Sequence, residues 1–387
     1  MSAGVEIAPR ATRTRPDLIL VFAVGALSML GLLMLYTITA PKLEAAGLSR
    51  TTNVARQAVF VVVGFAAFVG MSFISDRTWR LLTPIIYGGS LALLVMVLSP
   101  LGSSRQGAQR WIDLGPIDIQ PSEFAKLAVI LALALLLASV EENRMKWLRI
   151  AKSFAIVAVP SAFIFLQPDL GTMLAFGFVA VVMLFAAGTT VRQLSLLLLI
   201  AIVALVVAFE LDILKEYQLD RITGFLNAGE QTLDINYNQN QSQIAIGGGG
   251  MFGQGLFEGT QTNLAFVPAQ TTDFIFTAVA EQLGFMGAAT VILLYGLLVI
   301  RLLLIAAAAR DRFGQLVAAG VAASIVFHVF VNIGMTVGLL PVTGLPLPFM
   351  SFGGSFYIST MFSLGIAHSV WTHRSRVPIG AVPSRAV

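Results

Sequence analysis

The chain has 387 residues, of which 57% are hydrophobic and only 11% are charged. Soluble domains carry about 25% charged residues, so this composition excludes an ordinary soluble protein and indicates membrane spans of about 20 residues. The net charge of +4 does not indicate nucleic-acid binding, because the basic residues punctuate apolar runs and form no patch. The chain has no cysteine, which excludes disulfides, thiolate chemistry and cysteine-based metal sites.

Apolar segments predict an all-α polytopic membrane protein with about ten transmembrane helices in one domain, residues 18–372. The predicted spans are 18–39, 54–74, 81–99, 122–140, 150–167, 172–188, 191–211, 274–300, 314–337 and 350–372. Tails of 1–17 and 373–387 flank this domain. The first apolar run is too long for the core of a cleaved signal peptide, so we interpret it as a permanent span. Very short connections on either side of the sixth span leave nine spans as the alternative.

Basic residues predict the orientation of these spans. With the N-terminus in the cytoplasm, 16 of the 24 lysines and arginines fall in cytoplasmic segments and 7 in outer loops. This bias follows the positive-inside rule and places both termini in the cytoplasm. The tryptophans agree, because an amphipathic ring prefers the membrane interface. The four that fall at predicted span ends are Trp79, Trp111, Trp147 and Trp371.

Two predicted outer loops are candidates for function. The loop between spans three and four, about 100–121, joins a polar motif to the fourth span. The large extracytoplasmic loop between spans seven and eight, about 212–273, has two basic and seven acidic residues. Loops of that length are uncommon and usually functional. Its first part, 212–226, is amphipathic and predicts a helix lying at the membrane interface.

Asp273 lies where a glycine-rich polar segment ends and the eighth span begins. A carboxylate there keeps its charge at the watery edge of the membrane and can reach a lipid-borne substrate, so Asp273 is the candidate catalytic base. A helix cap is its alternative role. Thr277 and Glu281 continue a polar stripe into the membrane at helical spacing. The depth of Glu281 indicates either a functional acid or an ion pair with a basic residue of another helix.

The loop between spans three and four and the start of span four hold a second group of candidates. Arg110 and Lys126 could together hold a diphosphate. Glu123 and Lys126 are three residues apart, so an intrahelical ion pair is the alternative. Trp111 is either a functional residue or a member of the aromatic belt.

Other polar positions have simpler interpretations. Asp113 and Asp118 are predicted turn residues, and Asp169 is a predicted acid at a helix N-terminus. The run Gly247–Gly250 lacks the Gly-Lys-Ser/Thr ending of a phosphate loop, so we expect it to give an irregular loop its conformational freedom. The proline-rich segment 332–355 carries no charge and predicts a re-entrant stretch packed on protein.

Five segments, taken together and in order, resemble the SEDS family (shape, elongation, division and sporulation), and its RodA branch more than its FtsW branch. They are GAQRWIDLG…QPSEFAK, QPDLGT, QSQIAIGGGG…GQGLFEGTQ, TDFIFTAVAEQLG and NIGM…GLLPVTGLPLPFMSFGGS. The resemblance covers most of the chain. It implies a glycosyltransferase of the plasma (inner) membrane that polymerises lipid II, the undecaprenyl-diphosphate-linked disaccharide peptide, on the outer face during cell elongation. It also implies a class B penicillin-binding protein, a transpeptidase, as partner.

The resemblance assigns roles to particular residues. Asp273 matches the essential aspartate of the family's T-D-F-I-F motif, and Trp111 matches its functionally sensitive tryptophan. Substrate binding is expected to involve Arg110, Trp111, Glu123, Lys126 and Glu281. The reaction builds negative charge on a diphosphate, which Arg110, Lys126 or a divalent cation (Mg²⁺ or Mn²⁺) could stabilise.

The chain departs from the family pattern at two places. Pro268-Ala269-Gln270-Thr271 stands where family members usually have Pro-Glu-x-His, and Gln282 replaces the second acid of Glu-Glu-Leu-Gly. Neither departure changes Asp273 or Glu281. The roles that the family gives to the residues at the departing positions are therefore not assigned to Ala269, Gln270, Thr271 or Gln282.

Two rival functions remain open at this stage. A lipid-precursor flippase or transporter would suit many spans and broken helices, and it predicts ionisable groups near the membrane midplane. Here Asp273, Arg110 and Glu123 are all predicted at the outer edge. A non-enzymatic scaffold for wall synthesis predicts that Asp273→Asn has no effect.

Overall fold

The computed structural model describes residues 15–105, 108–113, 115, 118–139, 146–210 and 237–374, apart from the side chains at positions 105, 204, 205 and 208. The helices are α1 (Leu18–Ala45), α2 (Thr52–Ser72), α3 (Asp76–Leu98), α4 (Pro121–Ala138), α5 (Trp147–Leu166), α6 (Leu170–Ala186), α7 (Val191–Glu210), α8 (Tyr237–Gly248), α9 (Thr260–Asn263), α10 (Ile275–Ala307), α11 (Arg312–Thr336) and α12 (Gly354–Thr372). The strands are β1 (Gly102–Arg105), β2 (Ala108–Asp113) and β3 (Asp118–Ile119).

The predicted polytopic helical fold is confirmed. Seven described helices are long and apolar enough to cross a membrane, namely α1 to α5, α10 and α11. Helix α6 and the residues 191–203 of α7 are shorter apolar helices. The count of ten spans stays a prediction, and the predicted interfacial helix at 212–226 lies outside the described residues.

Most helix bounds agree with the predicted spans to within a few residues, but α1 and α10 run further. The first span was predicted to end at residue 39, two residues before Pro41. Helix α1 instead continues through Pro41 to Ala45. Helix α10 is 33 residues long because it joins two helical parts across a break at Gly284, where φ is 66° and ψ is −165°.

Side-chain caps explain where four helices begin. A carboxylate or hydroxyl before the helix accepts a backbone N–H that has no partner within the first turn. Asp17 accepts from Leu20 N at 3.1 Å, and Ser75, Asp169 and Asp311 make the same bond at the starts of α3, α6 and α11.

Helices α4 and α11 form the centre of the bundle. In their most apolar stretches, 72% and 67% of the residues are buried, against 22% for α2 and α3. A helix that is apolar on every side is expected to be surrounded by other helices. The ionisable side chains of Glu123 and Lys126 on α4 and of His328 on α11 accordingly lie inside the protein.

A small antiparallel sheet, not expected from the sequence, occupies the segment between α3 and α4. Its strand order is β1-β2-β3, and Ile112 pairs with Ile119 where β2 meets β3. The alternating pattern of a half-buried strand is short and weak here, which explains why it was missed. The sheet fixes the orientation of the β2 residues Arg110 and Trp111.

The two ends of the described chain lie at one face of the bundle. The Trp371 indole donates to the Arg15 carbonyl at 3.2 Å, and Arg301 donates to Asp17 at 2.6 Å. The backbone N–H of Asp17 also donates to His368 at 3.0 Å. Because both ends lie at the same face, the chain between residues 15 and 374 must cross the membrane an even number of times, as in the predicted topology.

Candidate active site

The turn Thr271–Asp273 is held by hydrogen bonds from two other parts of the chain. The carbonyls of its three residues, in order, accept from the Phe352 N–H at 2.9 Å, the Ser351 hydroxyl and the Asn332 side-chain amide at 2.7 Å. Turns and loops usually move more than helices. Here three successive backbone anchors give the turn a fixed position at the start of α10.

Asp273 is half-buried at the entrance to α10. Phe274 occupies the N-cap position of that helix, so Asp273 does not occupy the cap position that the alternative interpretation gave it. The carboxylate faces Gly344, since a Cβ built on Gly344 would lie 3.4 Å from Asp273 Oδ2. The residue is thus neither sealed in the bundle nor fully exposed.

Glu281 is fully buried and organises the loop before Asp273. Its carboxylate accepts from the backbone N–H of Gln261 at 2.7 Å, and from the N–H and hydroxyl of Thr262 at 3.1 and 2.5 Å. The Thr262 hydroxyl in turn accepts from the Gln270 side chain at 2.7 Å. Among the described residues, these loop donors take the place of the basic partner that the ion-pair alternative expected.

The glycine-rich segment packs against the break in α10. The N–H groups of Gln254 and Gly255 donate to the carbonyls of Glu281 and Gln282 at 2.9 and 3.1 Å. A Cβ built on Gly253 would lie 2.1 Å from the Gln282 carbonyl oxygen. The glycines of this segment therefore permit backbone-to-backbone contact. The irregular loop expected for the run Gly247–Gly250 begins only at Gly249, because Gly247 and Gly248 lie in α8.

Arg110 joins the small sheet to the turn between α5 and α6. Its Nε donates to the Gln167 carbonyl at 2.8 Å, and a second guanidinium nitrogen donates to the Pro168 carbonyl. Trp111 is half-buried next to it in β2, and its carbonyl accepts from the Ser103 hydroxyl. Contact of Arg110 and Trp111 with a substrate stays a prediction.

The three acids with predicted structural roles divide into two groups. Asp113 is the last residue of β2 and accepts from Gly115 N at 2.7 Å, so it begins a turn as predicted. Asp169 accepts from Thr172 N at 3.2 Å, so its role at the start of α6 is confirmed. Asp118 is different, because it lies in β3 rather than in a turn.

Lys126 lies in a buried polar cluster at the centre of the bundle. Its Nζ lies 2.7 Å from Glu123 Oε2 within α4 and 2.8 Å from His328 Nε2 on α11. The Phe356 ring covers one side, 5.1 Å from Nζ to the ring centroid. The intrahelical ion pair is thus present, and a histidine on another helix extends it.

The start of α12 and the segment 341–349 bring the two groups of candidates together. Ser351 bonds the turn that carries Asp273, while Ser355 donates to the Asp118 carbonyl and accepts from Gln120 N just before α4. A Cβ on Gly171, at the start of α6, would lie 3.2 Å from the Thr343 carbonyl. The segment 341–349 therefore lies between Asp273 and the first turn of α6, packed on protein as predicted.

Asn332 and His328 are two further polar residues near the site, and neither is among the functional residues predicted above. Both are polar residues on the apolar helix α11, one turn apart, and both contact the segment 341–349. The four-residue spacing was visible in the sequence and could have identified them as a pair that faces one partner.

No group of three or more His, Asp or Glu side chains within the described ranges is arranged to hold a metal ion.

Comparison with known proteins places this geometry in a family. A family model that joins FtsW, RodA and SpoVE, described as a cell cycle protein, matches residues 18–376. The chain belongs to this family. It is a multi-pass membrane protein, and the resemblance to the SEDS family is confirmed.

Named relatives and a solved structure cover nearly the whole chain. A probable peptidoglycan glycosyltransferase FtsW from Geobacter metallireducens is 35% identical over 94% of this chain and 96% of its own length. The peptidoglycan glycosyltransferase MrdB of Escherichia coli is 38% identical over 81% of this chain and 84% of its own. A chain from the structure entitled "Structural coordination of polymerization and crosslinking by a peptidoglycan synthase complex" has a TM-score of 0.80 and 33% identity, covering 93% and 99%. The FtsW and MrdB relatives have similar identities, so the comparisons favour no single branch.

Proposed function

We propose that the chain is a peptidoglycan glycosyltransferase that polymerises lipid II into glycan strands at the outer face of the plasma membrane. The observation that carries the proposal is the placement of Asp273, a half-buried carboxylate on a turn whose three carbonyls are all anchored. Relatives that match over most of the chain are named peptidoglycan glycosyltransferases, which supports the proposal. A fixed, partly exposed base suits proton transfer, because a base must come within about 3 Å of the hydroxyl that it activates.

In the proposed reaction, Asp273 takes the proton of an acceptor sugar hydroxyl. The oxygen of that hydroxyl attacks the anomeric carbon of the donor sugar at the same time. The bond from that carbon to the lipid diphosphate breaks, and the electron pair leaves with the diphosphate. Negative charge thus develops on the leaving group, and positive side chains stabilise it. Lys126 is the proposed cation for this role, with Arg110 as the second.

The other expected site residues contribute in different ways. Glu123 balances the charge of Lys126 at 2.7 Å and keeps it oriented. Trp111, on the same strand as Arg110, offers a ring to the sugar or peptide. Glu281 supports substrate binding through the loop that it holds, because its carboxylate is already occupied by loop donors.

We further propose that the chain acts in cell elongation, in the manner of the RodA branch, with a class B penicillin-binding protein as partner. The NIGM and GLPLP segments support the branch. The similarity to a chain of a peptidoglycan synthase complex supports a partner that crosslinks the strands.

The test is the polymerisation of lipid II by purified Asp273→Asn protein, with and without Mg²⁺ or Mn²⁺ and the partner. Asparagine keeps the shape but cannot act as a base, so polymer formation should fall to background while folding is kept. Asp113→Asn is the matched control, because Asp113 is an exposed acid in the loop between α3 and α4 and its amide still accepts the Gly115 N–H. Full activity of Asp273→Asn would remove the base assignment. Translocation of lipid II into vesicles without polymer would favour a flippase.

A further inference from the structure

His328 has a defined set of partners although it lies deep in the bundle, where it is 2% exposed. Its Nε2 lies 2.8 Å from the Lys126 Nζ, and its Nδ1 lies 3.3 Å from the Pro346 carbonyl oxygen. The Phe356 ring packs beside the imidazole with 5.0 Å between the ring centroids. The side chain thus joins α4, α11, α12 and the segment 341–349.

These partners determine which imidazole nitrogen carries the proton. A carbonyl oxygen only accepts, so Nδ1 carries the hydrogen that points at Pro346. An ammonium group only donates, so Nε2 presents its lone pair to Lys126. A second proton on the ring would place two positive groups 2.8 Å apart in a buried site. His328 is therefore a neutral acceptor for Lys126.

Lys126 is consequently held in one position by three helices. Glu123 balances its charge, the His328 Nε2 accepts a hydrogen bond from its ammonium group, and the Phe356 ring packs on one side of it. A small cavity opens beside this cluster, and polar side chains on α11 and α12, among them Ser324 and Thr360, line it. An ordered ammonium at a cavity is better placed to bind an anion than a free lysine is, because less side-chain entropy remains to be lost.

We propose that His328 is a positioning residue that orients Lys126 toward the diphosphate of the lipid-linked donor and sets its position relative to Asp273. The inference rests on the proposed function. The connection to Asp273 runs through the segment 341–349, since Pro346 accepts from His328 and Gly344 packs against the Asp273 carboxylate. One imidazole thereby fixes both the donor cation and the segment beside the base.

The experiment compares His328→Gln with His328→Leu in the purified full-length protein. Glutamine supplies an acceptor oxygen for Lys126 and an N–H for the Pro346 carbonyl, whereas leucine supplies neither. We expect the leucine variant to raise KM for lipid II about tenfold or more with a smaller change in kcat, and the glutamine variant to stay within about threefold. If the leucine variant does not accumulate in the membrane, His328→Met fills a similar volume without a strong acceptor and replaces it.

A second arm separates positioning from a general structural role. In a Lys126→Met background, His328→Leu should not weaken the binding of lipid II any further, because the group that it orients is gone. The inference would be overturned if His328→Leu weakened lipid II binding equally in both backgrounds. It would also be overturned if His328→Leu had the KM of the wild type, or if His328→Gln raised KM as much as His328→Leu. Failure of the proposed function is distinguishable, since the wild type would then form no polymer.

Discussion

Asn332 fixes the backbone that carries Asp273. Its fully buried amide donates to the carbonyls of Asp273 and Leu345, both at 2.7 Å. Leaving a buried carbonyl without a donor costs about 1–3 kcal/mol. We therefore predict that Asn332→Ala lowers the unfolding temperature in detergent and reduces lipid II polymerisation at least tenfold. Asn332→Asp should be as harmful, because a carboxylate cannot donate, and an aspartate variant with normal activity would contradict the prediction.

Gly344 allows a second test of how closely the Asp273 carboxylate is packed. Its φ of +74° is costly for other residues, and an added Cβ would lie 3.4 Å from Asp273 Oδ2. Gly344→Ala should therefore cost about 1–2 kcal/mol in stability, and we expect it to lower kcat as well, because the strained backbone and the added methyl group lie in contact with the carboxylate. Gly47→Ala is the matched control, since Gly47 has a φ of +72° with open space around it. Polymerisation and thermal unfolding of both variants check this, and a loss of kcat in Gly47→Ala as well would contradict it.

At the scale of single residues, the sequence indicated the charged groups but not their partners. The polar stripe Asp273, Thr277 and Glu281 was visible because helical spacing is a local property. That Glu281 accepts from α9 depends on how a loop folds back over α10, and no local pattern encodes that return. His328 and Asn332 were missed for the same reason, because their partners lie in an irregular segment.

At the scale of elements, the break in α10 and the glycine-rich segment form one packed unit. Gly253 has a φ of +84°, and an added Cβ would lie 2.1 Å from the Gln282 carbonyl oxygen and 2.7 Å from Gly284 N. Gly253→Ala must therefore separate two backbones, and we expect a loss of about 2–5 kcal/mol from strain and overpacking together. The expected result is faster proteolysis of the segment 249–270 and weak polymerisation.

The control for this prediction is Gly247→Ala in α8. Gly247 has no atom within 4 Å of an added Cβ, and alanine favours helix over glycine by about 1 kcal/mol. Gly247→Ala should leave proteolysis and activity unchanged. If both variants were cleaved equally fast, the close packing of Gly253 would not be the cause.

Elements differ in how far the sequence predicts them. The long apolar runs predicted the bounds of most spans to within a few residues. They do so because a transmembrane helix has every face in contact with lipid or protein and must therefore be apolar along its length. The sheet β1–β3 was not predicted, because its strands contain only four, six and two residues. The break at Gly284 was also missed, as a glycine within an apolar run is compatible with a continuous helix.

At the scale of the whole molecule, the two faces of the bundle carry different chemistry. The face that holds Arg15 and Trp371 is rich in polar contacts. They include the ion pairs of Asp17 with Arg301 and of Arg80 with Asp311. The opposite face carries the small sheet, the glycine-rich segment and the turn with Asp273. We predict that this second face is the outer one, because the proposed reaction takes place outside the cell.

The absence of cysteine allows a direct test of that orientation, since single cysteines can be introduced without a background signal. Ser49 and Thr260 are exposed at the predicted outer face, and Thr78 and Thr190 are exposed at the predicted inner face. In intact spheroplasts, a membrane-impermeant maleimide should label Ser49→Cys and Thr260→Cys, whereas Thr78→Cys and Thr190→Cys should react only after permeabilisation. Protection of Thr260→Cys in intact cells would place the loop before Asp273 inside, and a base located there could not serve polymerisation at the outer surface.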